Sequence, residues 1–459
     1  MKKILMTIVS LAAVATAFAG GTNVNTNHTV NFIRGVARGT TLDPDAVYHN
    51  PAGAAMMEDG FHFTLSIQEA IQNRSTVSTF APFEYNTNGN RTDTREFVGK
   101  TFAPVIPSVD FVWKKNRWAV MASFGIGGGG GTAKFNNGLA SFESMVGQLP
   151  FGVGMQVAGR PLPYSMDMYI KGSSMTFQGQ VGVAFKITEW LSVAAQARLN
   201  YATKSYTGYL KNIQMLNPMS GEMAPAAAIF QSMGLTDYAD MTADHTLDVS
   251  QSGWSISPVV AIMFKKDGWA ATAKYEFKQS MSLTNATAAI TAKDPVLGTM
   301  FADGAKTKAD MPALLSIAAS KTFCEKFTIT GEWHYYFDKD AQNSFTPAIL
   351  NNTQEYLAGL EYKINSKWLV STGYQFTDYS LNPQAYSDLD FQCDAHAIGL
   401  GFAYNFNKHI RLNAGAMGVF YKDVVKESAV YNDNSLGLPG KDIFKNSRYC
   451  WGLGLDFHF

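Results

Sequence analysis

Charge and cysteine are both scarce in this sequence. Charged side chains make up 16% of the 459 residues, and 37 basic side chains balance 37 acidic ones. Because there is no basic excess to neutralise phosphates, the composition argues against nucleic acid as a partner. The three cysteines, Cys324, Cys393 and Cys450, are odd in number and widely spaced, so they predict neither a disulfide framework nor a metal cluster. Their spacing leaves open a single bridge between Cys393 and Cys450.

Beyond its first residues the chain also lacks a long hydrophobic run. No internal stretch approaches the ~20 apolar residues that a membrane-spanning helix needs. The one long apolar run follows Lys2 and Lys3 and leads to the small-residue site at 17–19. This pattern predicts a cleaved signal peptide over residues 1–19. An exported chain with no spanning helix but many alternating segments is typical of the outer membrane of a Gram-negative bacterium.

Alternating apolar and polar residues fill most of the chain from residue 60 onward. The last segment shows this best, with Trp451, Leu453, Leu455, Phe457 and Phe459 at every second position. A period of two places this set on one face of a strand, where an apolar C-terminal residue makes sense if the face meets lipid. The sequence therefore predicts an all-β fold, a transmembrane antiparallel β-barrel of about 14 strands over residues 59–459. Phe459 would then be recognised by the barrel assembly machinery.

Fourteen segments carry this alternation, and short turns alternate with long connectors between them. The segments are 60–69, 101–115, 117–127, 171–187, 190–210, 245–265, 268–283, 310–323, 326–337, 353–364, 367–377, 394–406, 409–421 and 447–459. Aromatic residues that follow short turns predict an interfacial girdle: Trp118, Trp190, Trp269 and Trp368. The polar set is predicted to face the lumen: Gln178, Gln196, Arg198, Asn200, Lys274, Glu276, Glu332, His334, Gln375 and Arg411.

Residues 20–58 precede the first strand and carry no strand pattern. A barrel of about fourteen strands leaves an aqueous channel unless something fills it, so this segment is a candidate plug. Its Arg34-Gly35, Gly39, Asp43-Pro44-Asp45-Ala46 and Asn-Pro-Ala-Gly residues resemble the N-terminal hatch of the FadL/TodX family of outer-membrane hydrophobic-compound transporters. The resemblance implies a hatch over residues 20–58, with gating residues Asn50, Pro51, Ala52 and Gly53. Asn50 is expected to hold backbone groups of the barrel wall. A turn into the first strand is the alternative.

Two outer connectors are unusually apolar, and each predicts a short helix opened by a proline. Thioether and aromatic side chains adapt to flexible apolar ligands, so these residues predict a capture site. They are Met215, Leu216, Ile229, Phe230 and Met233 in 211–244, and Val296, Leu297, Met300 and Phe301 in 284–309. The resemblance places helical capture loops at the same two connectors. The alternative is that the helices pack together and cap the barrel.

Two lumen cations and a run of glycines bear on the path of a ligand. Arg198 and Lys204 have lumen parity and are candidate cations for a carboxylate, although either could instead balance carboxylates such as Glu276 or Glu332. Glycines at 125 and 127–131 weaken strand pairing. The resemblance implies a kink there that opens a lateral exit, and a flexible start to the following loop is the alternative.

The sequence and the resemblance together predict passive, ligand-gated uptake of hydrophobic small molecules, with long-chain fatty acids as the implied class. A general diffusion porin and a surface adhesin or structural barrel are the alternatives. No HExxH or paired CxxC spacing and no nucleophile arrangement is present, so we expect no enzyme activity, metal or cofactor. The expected partners are the apolar ligand and outer-membrane lipid, and the protein is expected to be a monomer.

Overall fold

A computed structural model describes residue 27 and residues 29–89, 91–290, 302–343 and 346–459. The wall consists of fourteen antiparallel strands that close into a barrel, which confirms the predicted fold. The predicted signal peptide lies outside the described residues. No helix in the described ranges is long and apolar enough to cross a membrane. All three cysteines are free thiols, so the bridge left open by their spacing is not formed.

The strands follow one another around the wall in chain order. They are Gly60–Phe80 (β1), Thr94–Lys115 (β2), Trp118–Phe135 (β3), Tyr164–Thr188 (β4), Leu191–Leu216 (β5), His245–Lys266, Trp269–Glu276 continued by Ser282–Ile290, Lys306–Lys308 continued by Leu314–Phe323, Phe327–Tyr336, Gln354–Lys363, Trp368–Asp378, Ala395–Asn405, Ile410–Tyr421 continued by Val424–Ser428, and Gly440–His458. The short strand Met223–Pro225 pairs with the outer end of β5.

Helices occur inside the barrel and in its outer connectors. The α-helices are Val30–Gly35 (α1), Ala46–His49 (α2), Ala140–Ala158 (α3), Ala226–Ser232 (α4) and Thr236–Met241 (α5). The 3-10 helices are Pro51–Met56, Ala81–Tyr85, Asp338–Asp340, Thr346–Ala348, Pro383–Ala385 and Tyr431–Asp433.

The barrel closes between β1 and the C-terminal strand, as the alternation predicts. Their ladder runs from His62 opposite His458 to Phe80 opposite Gly440. Both strands extend further outward than the predicted 60–69 and 447–459. The outer part of β1 carries polar side chains on its outward face, such as Asn73 and Ser75, so the apolar alternation ends before the strand does.

The two faces of the wall differ as predicted. Outward residues form an apolar belt, for example Leu453 with 60% and Leu400 with 59% of its surface exposed, as expected of a face in contact with lipid. The predicted girdle residues Trp118, Trp190, Trp269 and Trp368 are all exposed. Nine of the ten predicted lumen residues are buried, and the tenth, Arg411, is largely covered.

Candidate functional site

The segment before β1 lies inside the barrel. All six residues of α1 are buried, and α2 and the following 3-10 helix are buried except at Met56. The Thr29 side chain caps α1 by accepting a hydrogen bond from the Phe32 N–H. Because most of this segment has neither water nor lipid beside it, its backbone groups need partners from the wall.

Glycines on neighbouring strands let α1 approach the wall closely. A Cβ atom on Gly373 would lie 2.3 Å from the Gly35 carbonyl oxygen, and one on Gly399 would lie 2.2 Å from the Ile33 carbonyl oxygen. Gly359 is similarly close to Gly35, with 2.7 Å to its carbonyl oxygen. Any side chain at these positions would push α1 off the wall. Lumen parity shared by glycines on adjacent strands is a sequence signal that could have revealed this seat.

Wall side chains also donate hydrogen bonds to carbonyl groups of the lumen segment. The pairs are Thr272 to Gly39 (2.8 Å), Ser371 to Arg34 (3.0 Å), Lys274 to Tyr48 (3.0 Å), Gln196 to Val47 (2.9 Å) and Ser192 to Ala52 (2.7 Å). These donors come from several strands around the barrel, so the segment is held from more than one side.

Arg38 is the electrostatic centre of the segment. Its Nη2 lies 2.7 Å from Asp43 and 2.9 Å from Asp45, and its Nη1 lies 3.4 Å from Glu361 of the wall. Arg411 of the wall contacts Asp43 at 2.6 Å. Burial raises the pKa of Asp43, but Arg411 and Arg38 lower it by more, so the pKa of this carboxyl lies well below its ordinary value. Ionised Asp43 thus links Arg38 of the segment to Arg411 of the wall.

Glu332 adds a second wall contact at the same place. One of its carboxylate oxygens accepts hydrogen bonds from the backbone N–H groups of Arg38 (2.9 Å) and Gly39 (2.8 Å). The other oxygen bonds to His334 at 2.8 Å, and the far ring nitrogen of His334 bonds to Glu355 at 2.8 Å. A Cβ atom at Gly39 would clash with Glu332, so the motif glycine is needed for this close approach.

Asn50 does not hold the backbone of the barrel wall, and that part of the prediction is wrong. Its amide donates to the Thr41 carbonyl at 2.9 Å and accepts from the Gly53 N–H at 3.2 Å, both inside the lumen segment. Its hydrogen bond to the wall, among the described residues, is to the sulfur of Met263 at 3.2 Å. Asn50 caps the 3-10 helix that begins at Pro51. Asn50 bonds within the lumen segment because these partners lie within nine residues of it in the chain.

Pro51, Ala52 and Gly53 are buried in the 3-10 helix that Asn50 caps, and the gating role of these four residues stays a prediction. A Cβ atom on Gly53 would lie 2.3 Å from the Asn50 amide nitrogen, which explains the glycine in the Asn-Pro-Ala-Gly run. The motif shapes the segment, while the wall contacts come from the groups described above.

The wall is interrupted between β2 and β3. The two strands pair from Gly99 to Phe102 on the outer side and again from Val109 to Lys115 near the short turn. No ladder pair joins residues 103–108 of β2 to residues 125–131 of β3. The predicted glycine run lies in this stretch of β3, within the strand and before its end. The kink that the resemblance implies thus coincides with a break in strand pairing, and the lateral exit stays a prediction.

Extra residues and prolines cause the interruption. Against β4, β3 carries one extra residue at Gly127 and another at Gly130. Against β1, β2 carries one extra residue beside Pro104. Bulges bend a strand and disrupt its ladder, and prolines at 104 and 107 supply no N–H. A Cβ atom on Gly127 would lie 2.6 Å from the Gln178 amide oxygen in the lumen, so β3 bends inward here.

Apolar residues at the edges of the interruption pack with the lumen segment. Ala103, Ile106 and Ile126 at its edges belong to one buried cluster with Val30, Ile33 and Val36 of the α1 region. An apolar molecule above α1 would therefore meet apolar side chains all the way to the wall.

The outer end of the lumen is capped by packed helices. Met215, Ile229 and Phe230 of the predicted capture site are buried in one cluster with residues of α3, while Leu216 and Met233 pack against its edge. Whether the helices of the two connectors pack against each other, as the alternative predicts, stays a prediction. Val296, Leu297, Met300 and Phe301 lie outside the described residues.

A loop that the sequence did not reveal also folds into the outer lumen. Residues 388–393 are all buried, although they belong to a connector between two wall strands. Asp388 accepts a hydrogen bond from the Ser141 N–H at the start of α3 (2.8 Å), and Leu389 joins a cluster with Phe135 and Tyr206 of the wall. Leu389 and Phe391 are the sequence signal that could have revealed this buried loop, because an exposed loop does not require large apolar side chains.

The two predicted lumen cations have different surroundings. Arg198 forms an ion pair with Glu276 and lies over the Tyr48 ring, so it has the charge-balancing role that the alternative describes. Lys204 is half-buried beside Gln251, closer to the outer end.

Arg74 is a third lumen cation that the sequence reasoning missed. It is buried on β1, donates to the Phe391 carbonyl at 3.2 Å and lies 4.1 Å above the Phe391 ring. Within the described part of the chain it forms no ion pair. Arg448 on the C-terminal strand is its close neighbour, opposite Gln72, and bonds to the Tyr421 hydroxyl. Arg74 was missed because β1 was expected to end at residue 69.

No family model and no curated protein matches the chain. Solved structures do match it. A Pseudomonas aeruginosa FadL homologue is 14% identical, with a TM-score of 0.65, and the match covers 97% of this chain and 100% of that chain. The Pseudomonas putida toluene transporter TodX is 14% identical, with a TM-score of 0.54 and coverage of 90% and 94%. The Ralstonia pickettii toluene transporter TbuX is 14% identical, with a TM-score of 0.51 and coverage of 91% and 94%. The chain therefore has the fold of the FadL homologue, TodX and TbuX, as the sequence resemblance predicts.

Proposed function

We propose that this protein carries hydrophobic small molecules across the outer membrane of a Gram-negative bacterium, as a member of the FadL/TodX family. The observation that carries this proposal is the interruption between β2 and β3, whose edge residues form one apolar cluster with the α1 region. Residues 1–19 are the signal peptide, 20–58 the hatch and 59–459 the barrel. The protein works as a monomer, without coupling to an energy source.

The route avoids water for an energetic reason. Each methylene group that leaves an apolar site for water loses about 0.8 kcal/mol, so an aqueous pore is a poor path for an acyl chain. The hatch fills the lumen below the interruption, with residues such as Arg38 and Asp45 fully enclosed. A ligand that has passed the outer cap leaves sideways through the wall, into the membrane, while the hatch stays seated.

Arg74 favours an acidic ligand. It is a buried cation whose only hydrogen-bond acceptor in the described residues is the neutral Phe391 carbonyl, and it stands above the apolar cluster at the interruption. A carboxylate that replaced this carbonyl would make a stronger, charge-assisted bond. TodX and TbuX are toluene transporters, so the shared fold also accommodates neutral aromatic compounds. We assign this chain to long-chain fatty acids because of Arg74.

Replacing Arg74 with glutamine should weaken binding of a fluorescent fatty acid to the purified barrel. A hydrogen bond to a charged group contributes about 1.5–3 kcal/mol, so affinity should fall about 10- to 100-fold. The matching fatty alcohol should bind both proteins alike. Arg91→Gln, at an exposed loop arginine, is the control with the same change of charge. Equal affinity of wild type and Arg74→Gln for the acid would rule out Arg74 as the headgroup site.

The outer cap is proposed to be the capture site. Phe230 is buried in the cap cluster with its ring against Tyr238 of α5, and Met233 lies at the edge of that cluster, so Phe230→Ser with Met233→Ser should remove apolar capture surface. We expect slower ligand entry and unchanged barrel assembly, because neither residue belongs to a wall strand. Stopped-flow binding measures the first, and heat-modifiable migration on a gel measures the second. An unchanged association rate would leave these residues with packing alone.

The proposed function is tested by comparing two probes in one host. Cells that make this protein should take up a fluorescent long-chain fatty acid faster than cells with an empty vector. Liposomes that contain the purified protein should remain closed to small sugars. Sugar permeation without fatty-acid uptake would identify a general porin, and absence of both activities would favour an adhesin or structural barrel.

A further inference from the structure

Three lysines lie side by side on the outer surface of the wall. Lys100 of β2 pairs with Lys134 of β3, and Lys134 pairs with Lys171 of β4. Their strand neighbours Gly99, Ala133 and Ile170 are buried, so the three lysines point away from the lumen. We call Lys100, Lys134 and Lys171 the lysine row.

The row places like charges in direct contact range. Directly opposite residues of an antiparallel pair have Cβ atoms about 4.5–5.5 Å apart, and like charges there destabilise the sheet. None of the three lysines forms an ion pair with any residue that the structure describes. At either end the row is continued by neutral residues, Asn73 of β1 and Thr207 of β5. An anion from outside the chain would therefore relieve the repulsion between the three lysines.

Hydroxyl groups lie directly below the lysine row. Thr132 pairs with Ser173 one position from it on the outward face, and their hydroxyl oxygens are 3.3 Å apart. Phe102, with 54% of its surface exposed, lies beside Thr132 at the same level, and below them Tyr201 is 46% exposed. Cations, hydroxyl groups and then an apolar face follow the order of a phosphorylated sugar headgroup above its acyl chains.

The lysine row also stands directly above the interruption in the wall. Beyond residues 103–108 and 125–131, only the short ladder from Gly99 to Phe102 joins β2 to β3 on this side. Lys100 and Lys134 repel each other within that ladder. An anion bound between them would join the two strands at the upper edge of the opening.

We propose that the lysine row, with Thr132 and Ser173, binds the phosphorylated disaccharide headgroup of an outer-leaflet glycolipid. Adjacent strands are about 4.8 Å apart, so the row spans about 10 Å, more than one phosphate can cover. Two phosphates on one disaccharide fit this span better than the single phosphate of a glycerophospholipid. This assignment rests on the proposed outer-membrane location and on no property of the transported ligand.

The test uses purified full-length protein and three defined lipids in detergent: diphosphoryl lipid A, monophosphoryl lipid A and phosphatidylglycerol. Native mass spectrometry gives the affinities. The variant is Lys100→Gln/Lys134→Gln/Lys171→Gln. Its control is Lys115→Gln/Lys266→Gln/Lys363→Gln, which removes the same charge from exposed lysines beside the short turns.

Wild type and control should bind diphosphoryl lipid A most tightly, and the row variant should bind it about tenfold more weakly. Lys134→Gln alone, which removes the central charge, should give a smaller loss in the same direction if the triple variant folds poorly. Equal affinity of row variant and wild type would overturn the proposal. So would equally tight binding of phosphatidylglycerol, because the row would then be a general anion patch. Neither readout depends on transport, so failure here is distinct from failure of the proposed function.

Discussion

Replacing Arg38 with alanine should convert a closed barrel into a conducting one. The Arg38 guanidinium is buried among Asp43, Asp45 and Glu361. Its removal deprives these three carboxylates of the cation that they share. Breaking a buried ion pair by removing one partner costs about 3–5 kcal/mol. Asp43 keeps Arg411 as a partner, but Asp45 has no other cation in ion-pair contact within the described residues. The hatch should then leave its seat for a large part of the time.

The conductance of single channels in planar bilayers measures this directly. Wild type should show little conductance, and Arg38→Ala should show large, fluctuating openings. Arg117→Ala is the control, because Arg117 lies exposed at a short turn and its loss changes the net charge equally. If Arg38→Ala is as closed as wild type, the charges around Arg38 do not hold the hatch.

The architecture of the wall could be predicted because every strand repeats the same alternation of apolar and polar residues. Each wall strand must present apolar residues to lipid and polar residues to the lumen, so its pattern needs no knowledge of its neighbours. The predicted strands end where the apolar residues of the lipid-facing side end. Beyond Ile71 the outward residues of β1 include Asn73 and Ser75, and the strand nevertheless continues to Phe80 because it pairs with its neighbours.

The lumen was harder to predict because its contacts join distant residues. The resemblance identified the hatch, yet Arg38 meets Glu361 and Glu332 across some 300 positions of sequence. The wall contacts of Asn50 were predicted from the chemistry of its amide alone, but the amide bonds to Thr41 and Gly53 of the lumen segment. Arg74 was missed because the predicted β1 ends at residue 69, and its contact with Phe391 of the inward loop joins residues more than 300 positions apart.

Removing the extra residues of β2 and β3 should close the wall. Deleting Pro104 from β2 restores its register with β1, and deleting Gly127 and Gly130 from β3 restores its register with β4. Five residues of β2 would then face five residues of β3 across the former interruption. The variant also carries Pro107→Val, which supplies the N–H that proline lacks. The two strands can then pair without a break. Deletion of residues 218–220 from the outer hairpin is the control, because it shortens the chain equally and leaves the wall unchanged.

The uptake rate of a fluorescent long-chain fatty acid by cells that carry this closed-wall variant tests the central claim most directly. The cells must hold wild-type amounts of heat-modifiable barrel, and the purified variant must still bind the ligand. We expect uptake at the level of cells without the protein, while the control deletion retains wild-type uptake. Wild-type uptake through a wall that has been closed would contradict lateral passage and would direct the ligand through the hatch instead.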